Sequence, residues 1–198
     1  MLGKTHMAVG IATTLAVIPP KNTRQLLLEV GAGAVGALIS DIDVGTSESH
    51  RDADVITYLT LGVIAVVIAL DHFMNTGIVF RIKQSEGWFQ IILGILMFVG
   101  ICAYGKEQPH RSFMHSFLAL FLLEISIGIV YPDFMWPFAV GFLSHLASDI
   151  FNRRKVHLLY PIPGGISLGL FSAKGVANSI FLWIGCAVIA VELVKFVV

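Results

Sequence analysis

The chain reads as a series of long apolar runs separated by short polar connections. The runs do not alternate apolar and polar residues, as a half-buried or barrel strand would. Helices are therefore predicted at residues 6–18, 24–39, 55–70, 87–104, 112–130, 133–150 and 177–196. Pro19-Pro20 ends the first and Pro132 follows the fifth. Pro137 falls in the opening turns of the sixth, where proline is tolerated. A bilayer crossing takes about 20 residues, and several runs are shorter. The expected fold is all-α: a compact polytopic transmembrane bundle of about seven helices with polar ends. Backbone groups in lipid must bond within their own segment, which favours helix throughout.

Composition removes the other classes. Of 198 residues, 56% are hydrophobic and 13% charged, with a mean hydropathy of +0.83. Soluble domains carry about 25% charged residues, so a soluble globular chain is excluded, as is disorder. Thirteen Lys+Arg balance thirteen Asp+Glu, which leaves no basic domain for nucleic acid. The first run lacks a basic leader and a small-residue cleavage site, so it is expected to remain as a helix. Cys102 and Cys186 both lie in apolar runs and make no thiolate metal motif. No repeat or low-complexity run divides the chain, and residues 1–198 are expected to form a single domain.

Seven helices of alternating direction sort the connections. Residues 19–23, 71–86 and 131–132 fall on one side with residue 198. Residues 41–54, 105–111 and 151–176 fall on the other with residue 1; this second side is called side A. Lys4, Arg51, Lys106, Arg111, Arg153, Arg154, Lys155 and Lys174 lie on side A, against Lys21, Arg24, Arg81, Lys83 and Lys195 opposite. The positive-inside rule makes side A cytoplasmic.

The ionisable residues near the apolar runs then converge. His6 starts the first helix, Asp41 and Asp43 follow the second, and His110, Arg111 and His115 open the fifth. His145 and Asp149 occupy the last turns of the sixth, four positions apart and so on one face. All of them point to side A. Imidazole and carboxylate together suit zinc, and also manganese or iron. The candidate metal ligands are His6, Asp41, Asp43, His110, His115, His145 and Asp149, enough for one or two Zn²⁺, with Mn²⁺ as an alternative. Metal-activated water would hydrolyse an ester or phosphoester. Whichever of Asp43 and Asp41 is not a ligand is the expected base, and Arg111 the expected clamp for an oxyanion or phosphate. A site at the membrane face expects a lipid or lipid-linked substrate, and membrane lipids as partners.

Other polar residues read differently. Glu124 faces away from this set and is expected to make an interhelical hydrogen bond. Asp71 and His72 lie on the opposite side. His50, Asp52, Asp54 and His157 read as solvated loop residues on side A. Trp88, Trp136 and Tyr131 read as interfacial aromatics. The stretch Gly31-Ala32-Gly33-Ala34-Val35-Gly36 reads as a close-packing helix face. Arg153-Arg154-Lys155, next to Asp149, could hold an anionic headgroup or serve as positive-inside anchors. Two other functions use the same residues: transport of a divalent cation, and a structural metal in a non-catalytic membrane protein.

The motifs resemble those of the bacterial family of LexA-regulated inner-membrane metal-dependent hydrolases known as YdjM. The matching pieces are His6 with its helix, Asp41-Ile42-Asp43, His110-Arg111-Ser112-Phe113-Met114-His115-Ser116, Ser144-His145-Leu146-Ala147-Ser148-Asp149 and Leu158-Leu159-Tyr160-Pro161. The resemblance implies metal-dependent hydrolysis in the bacterial inner membrane. More distantly, the His/Asp vocabulary is similar to that of zinc-dependent phospholipase C and P1 nuclease, which implies phosphoester cleavage. The chain departs from the family pattern at Ser40, Val44, Ser112 and Met114, none of them a proposed ligand.

Overall fold

The computed structural model describes residues 1–43, 87–172 and 175–198. The regular elements among these residues are all helices, with α1 at Gly3–Val17, α2 at Thr23–Ile39, α3 at Trp88–Lys106, α4 at Phe117–Val130, α5 at Met135–Ile150 and α6 at Val176–Val197. Short 3₁₀ turns stand at Ser40–Asp43, Phe113–His115 and Pro132–Phe134. The helix predicted at 55–70 lies outside the described residues, as do His50, Asp52, Asp54, Asp71 and His72. Six helices thus stand where seven were expected, one expected helix being undescribed.

Among the described residues, three segments are long and apolar enough to cross a membrane: Thr23–Asp43, Trp88–Lys106 and Val176–Val197. The others are short. At 1.5 Å per residue, α1, α4 and α5 extend only about 21–24 Å against a hydrocarbon core of about 30 Å. A short helix places its end residues below the plane where a full span would end. His6, His145 and Asp149 lie near the ends of such short helices.

The centre of the bundle is α1, packed on α2, α5 and α6, with α2 lying along α5. Small residues set that last contact. A methyl group at Gly36 would overlap the Phe138 carbonyl, and one at Gly141 would overlap the Gly33 carbonyl. The two backbones therefore touch, as the glycine-rich stretch predicts. A second pair, α3 with α4, joins through the α4–α5 contact. The core between the pairs is Ala32, Ile39, Phe113, Met114, Leu123, Phe138, Phe142 and Leu146. By contrast, α6 packs on α1 and leaves Trp183, Ile184 and Val194 exposed.

One boundary shift matters for the site. A continuous helix was expected from residue 112, but α4 begins at Phe117. Arg111 takes a positive φ of 68°, a conformation incompatible with a helical turn for a non-glycine residue. Ser116 then caps α4, its Oγ accepting from the Ala119 N–H at 3.2 Å. Its hydroxyl also donates to the Phe113 carbonyl at 2.6 Å, which closes the turn carrying His115. Similarly, α1 starts at Gly3 rather than His6, so His6 sits inside its first turn.

Candidate metal centre

The starts of α1 and α4 meet the ends of α2 and α5 at one end of the bundle. The eight expected site residues come together there. His115 and His145 are fully buried, His6 and Asp149 nearly so, Asp43 and Arg111 are buried, and Asp41 and His110 are partly exposed.

Two imidazoles form the middle of the cluster. His145 Nδ1 donates to the Ala37 carbonyl at 2.7 Å, which leaves its Nε2 lone pair pointing inward. That atom lies 3.3 Å from His115 Nε2. Asp41 Oδ1 is 3.8 Å from His115 Nε2 and 3.7 Å from His145 Nε2. Asp149 Oδ2 is 3.6 Å and 3.8 Å from the same two atoms. Ligand atoms around a tetrahedral ion with bonds of about 2.0–2.2 Å stand about 3.3–3.6 Å apart. The spacing and the donor types therefore suit one divalent cation.

His6 joins from the side. Its ring stacks on His145 with centroids 3.8 Å apart, and Nε2 lies 3.5 Å from Asp149 Oδ1. Ser148 Oγ and His6 Nδ1 are 3.0 Å apart. His6 Nε2 is buried without a hydrogen-bond partner among the described residues, an arrangement that costs free energy unless a ligand takes it up. His6, His145 and Asp149 form one possible metal-binding trio; Asp41, His115 and His145 form another.

Asp43 organises a third trio with His110 and His115. His110 Nδ1 is 2.6 Å from Asp43 Oδ1. The Arg111 backbone N–H donates to Asp43 Oδ2 at 3.2 Å, and His115 Nδ1 is 3.4 Å from the same oxygen. Burial alone would push the His115 imidazole down. Hydrogen bonding to Asp149 and Asp43, with the charges of Asp43 and Asp41, outweighs burial and holds it up at about 9. His110 packs edge-on against His115, with ring centroids 5.1 Å apart.

Arg111, expected to be free for an anion, is engaged. One terminal nitrogen pairs with Asp149 Oδ2 at 2.9 Å, and the other donates to the Arg154 carbonyl at 2.7 Å.

Sequence reasoning missed several participants. Ser148 was passed over, although it lies three residues after His145 and beside Asp149. The backbone carbonyls of Ala37 and Arg154 have no sequence signature at all. Glu29 was also missed. It is buried within α2 and its Oε2 has no partner among the described residues; its signal was an acidic residue inside an apolar run. The interhelical hydrogen bond expected of Glu124 is not made by its buried Oε1 among the described residues. Its main neighbour α3 offers little for it to bond along its apolar middle. His157 stays outside the cluster, its N–H donating to the Arg111 carbonyl at 3.0 Å.

Neither the curated proteins nor the solved structures include a match to this chain. The family comparison does give one, along nearly the whole length and across every element of the cluster: the chain belongs to the YdjM inner membrane protein family, whose model matches residues 1–197.

Proposed function

We propose that this protein is a multi-pass, metal-dependent hydrolase of the inner membrane that cleaves an ester or phosphoester bond of a lipid or lipid-linked substrate. The observation that carries the reading is the pair of facing Nε2 atoms of His115 and His145, flanked by the carboxylates of Asp41 and Asp149. Two imidazole acceptors and two carboxylates fit zinc or manganese. His6 is the fifth donor. When bound, such an ion lowers the pKa of a coordinated water to about 7 and polarises an ester or phosphoryl oxygen.

The chain's own groups divide the remaining work. Asp43 Oδ2 lies 3.4 Å from His115 Nδ1, placed for the carboxylate–histidine support common around metal ligands. Asp43 holds His110 in the same way, so the His110–Asp43 pair is our assignment for proton transfer, with Asp43 acting through His110. His110 is partly exposed. Arg111 fixes Asp149 through one terminal nitrogen, its other being taken by the Arg154 carbonyl. The resemblance to phospholipase C and P1 nuclease chemistry belongs to this proposal, and so does a cytoplasmic position for side A.

The test is elemental analysis of the detergent-solubilised protein, followed by hydrolysis assays on phospholipids and phosphoesters. Stoichiometric zinc or manganese with metal-dependent turnover supports the reading; a metal-free protein after reconstitution sinks it. A reporter fused after Val198 is expected to be periplasmic. Divalent-cation transport is the second reading, favoured by Glu29 and Glu124, whose carboxylates lie buried along α2 and α4. Metal flux into sealed proteoliposomes without substrate turnover would select it.

A further inference from the structure

The connection from α5 to α6, residues 151–175, contains Arg153, Arg154, Lys155 and Lys174 and no Asp or Glu. Its described part has a defined shape. Val156 and Ile166 exchange both backbone hydrogen bonds, at 2.9 and 3.0 Å. Ser167 Oγ donates to the Asn152 carbonyl at 2.5 Å. The Leu168 and Leu170 N–H groups donate to the carbonyls of Ile150 and Phe151 at 2.7 and 2.9 Å. The loop is thereby doubled back on the end of α5.

This fixed shape turns apolar side chains outward. Leu159, Ile162, Ile166, Leu168 and Leu170 are each more than half exposed. Arg153, Arg154 and Lys155 are exposed beside them. A water-facing loop gains nothing from such a surface, whereas a loop resting in a bilayer interface gains from both halves of it. Its ends hold it there: it leaves α5 immediately after Asp149 and returns to α6, a helix long and apolar enough to span.

We propose that this loop is a lipid-binding element lying in the headgroup region. Its aliphatic side chains enter the acyl boundary, and Arg153, Arg154 and Lys155 contact anionic phospholipid headgroups. Charge decides the occupant. A second copy related by two-fold symmetry would bring the same positive surface against itself and repel, while an anionic leaflet attracts it. The inference rests on the loop's own residues and holds whether or not the His/Asp cluster hydrolyses anything. It also reaches that cluster, because the Arg154 carbonyl accepts from Arg111, which in turn holds Asp149.

The experiment places a nitroxide label at Ile162→Cys, and separately at Leu168→Cys, in a Cys186→Ala chain whose other cysteine, Cys102, is buried. The labelled protein is reconstituted in phosphatidylcholine bilayers with and without phosphatidylglycerol. The expected result is relaxation by oxygen and protection from an aqueous nickel chelate, deeper with phosphatidylglycerol. Each basic group contributes about fivefold to the attraction, so Arg153→Glu, Arg154→Glu and Lys155→Glu together should abolish the phosphatidylglycerol effect. Free access of the nickel chelate would show an aqueous loop. Shielding from both relaxants would show a protein cover, and equal depth in both lipids would remove the anionic preference. Each of these three outcomes overturns the proposal.

Discussion

His115 Nε2 and His145 Nε2 face each other across 3.3 Å, at the point where the turn before α4 meets the last turns of α5. His145 is held by the Ala37 carbonyl at 2.7 Å, and His115 has Asp43 Oδ2 3.4 Å from its Nδ1. Under the metal reading, His145→Ala and His115→Ala each remove a central donor. Both variants should purify without stoichiometric metal, while Glu124→Gln, which lies off the cluster, should retain it. Elemental analysis of the three proteins side by side checks this.

Asp43→Asn tests the supporting role. The variant keeps the size of the side chain but loses the charge that orients His110 and His115. Metal affinity should fall about 10- to 100-fold, short of the complete loss expected for His115→Ala. Titration against a competing chelator measures both. An Asp43→Asn protein as metal-free as His115→Ala would make Asp43 a direct ligand instead.

The raised His115 value has a definite sign. Its ordinary value is 6.5 and the folded chain holds it at about 9. The protonated ring therefore stabilises the metal-free fold fully below pH 6.5, and this contribution disappears as the pH rises through about 9. A metal competes for the same nitrogen, so metal affinity should climb as the pH rises toward about 9 and level off above it. Calorimetry in buffers of different ionisation enthalpy should find roughly one proton released per metal at pH 7. No proton release would remove His115 from the ligand set.

Gly36→Ala and Gly141→Ala test the α2–α5 contact. In each case the new methyl meets a backbone carbonyl of the facing helix, which no rotamer change can relieve. A destabilisation of about 1–3 kcal/mol or more is expected. Gly31 faces open space, so Gly31→Ala should be neutral or stabilising by about 0.5–1 kcal/mol. Thermal unfolding in detergent compares the three.

Much of this architecture was legible because it depends on helix ends. Apolar runs and prolines located α2, α3, α5 and α6 to within a few residues, and the alternation of helices brought every candidate ligand to one end. What stayed hidden depends on conformation without a periodic pattern. The run from Ser112 onward is apolar enough to continue a helix. The backbone of Arg111 and the cap at Ser116 instead shorten α4, and this lets His110 and His115 both reach Asp43. The pairing of Arg111 with Asp149 was equally unreadable, because it joins side chains from two elements whose depth is set by packing.

The bond from His145 to Ala37 gives the site a particular kind of mutational exposure. A histidine oriented by a carboxylate loses its orientation when that one side chain is replaced. Here the acceptor is a main-chain oxygen near the end of α2, so no codon change at position 37 deletes it. The imidazole tautomer is inherited from the axial register of α2 against α5. Drift that reaches the site would act through glycines that are not themselves ligands, and loss of function there would look like a folding defect.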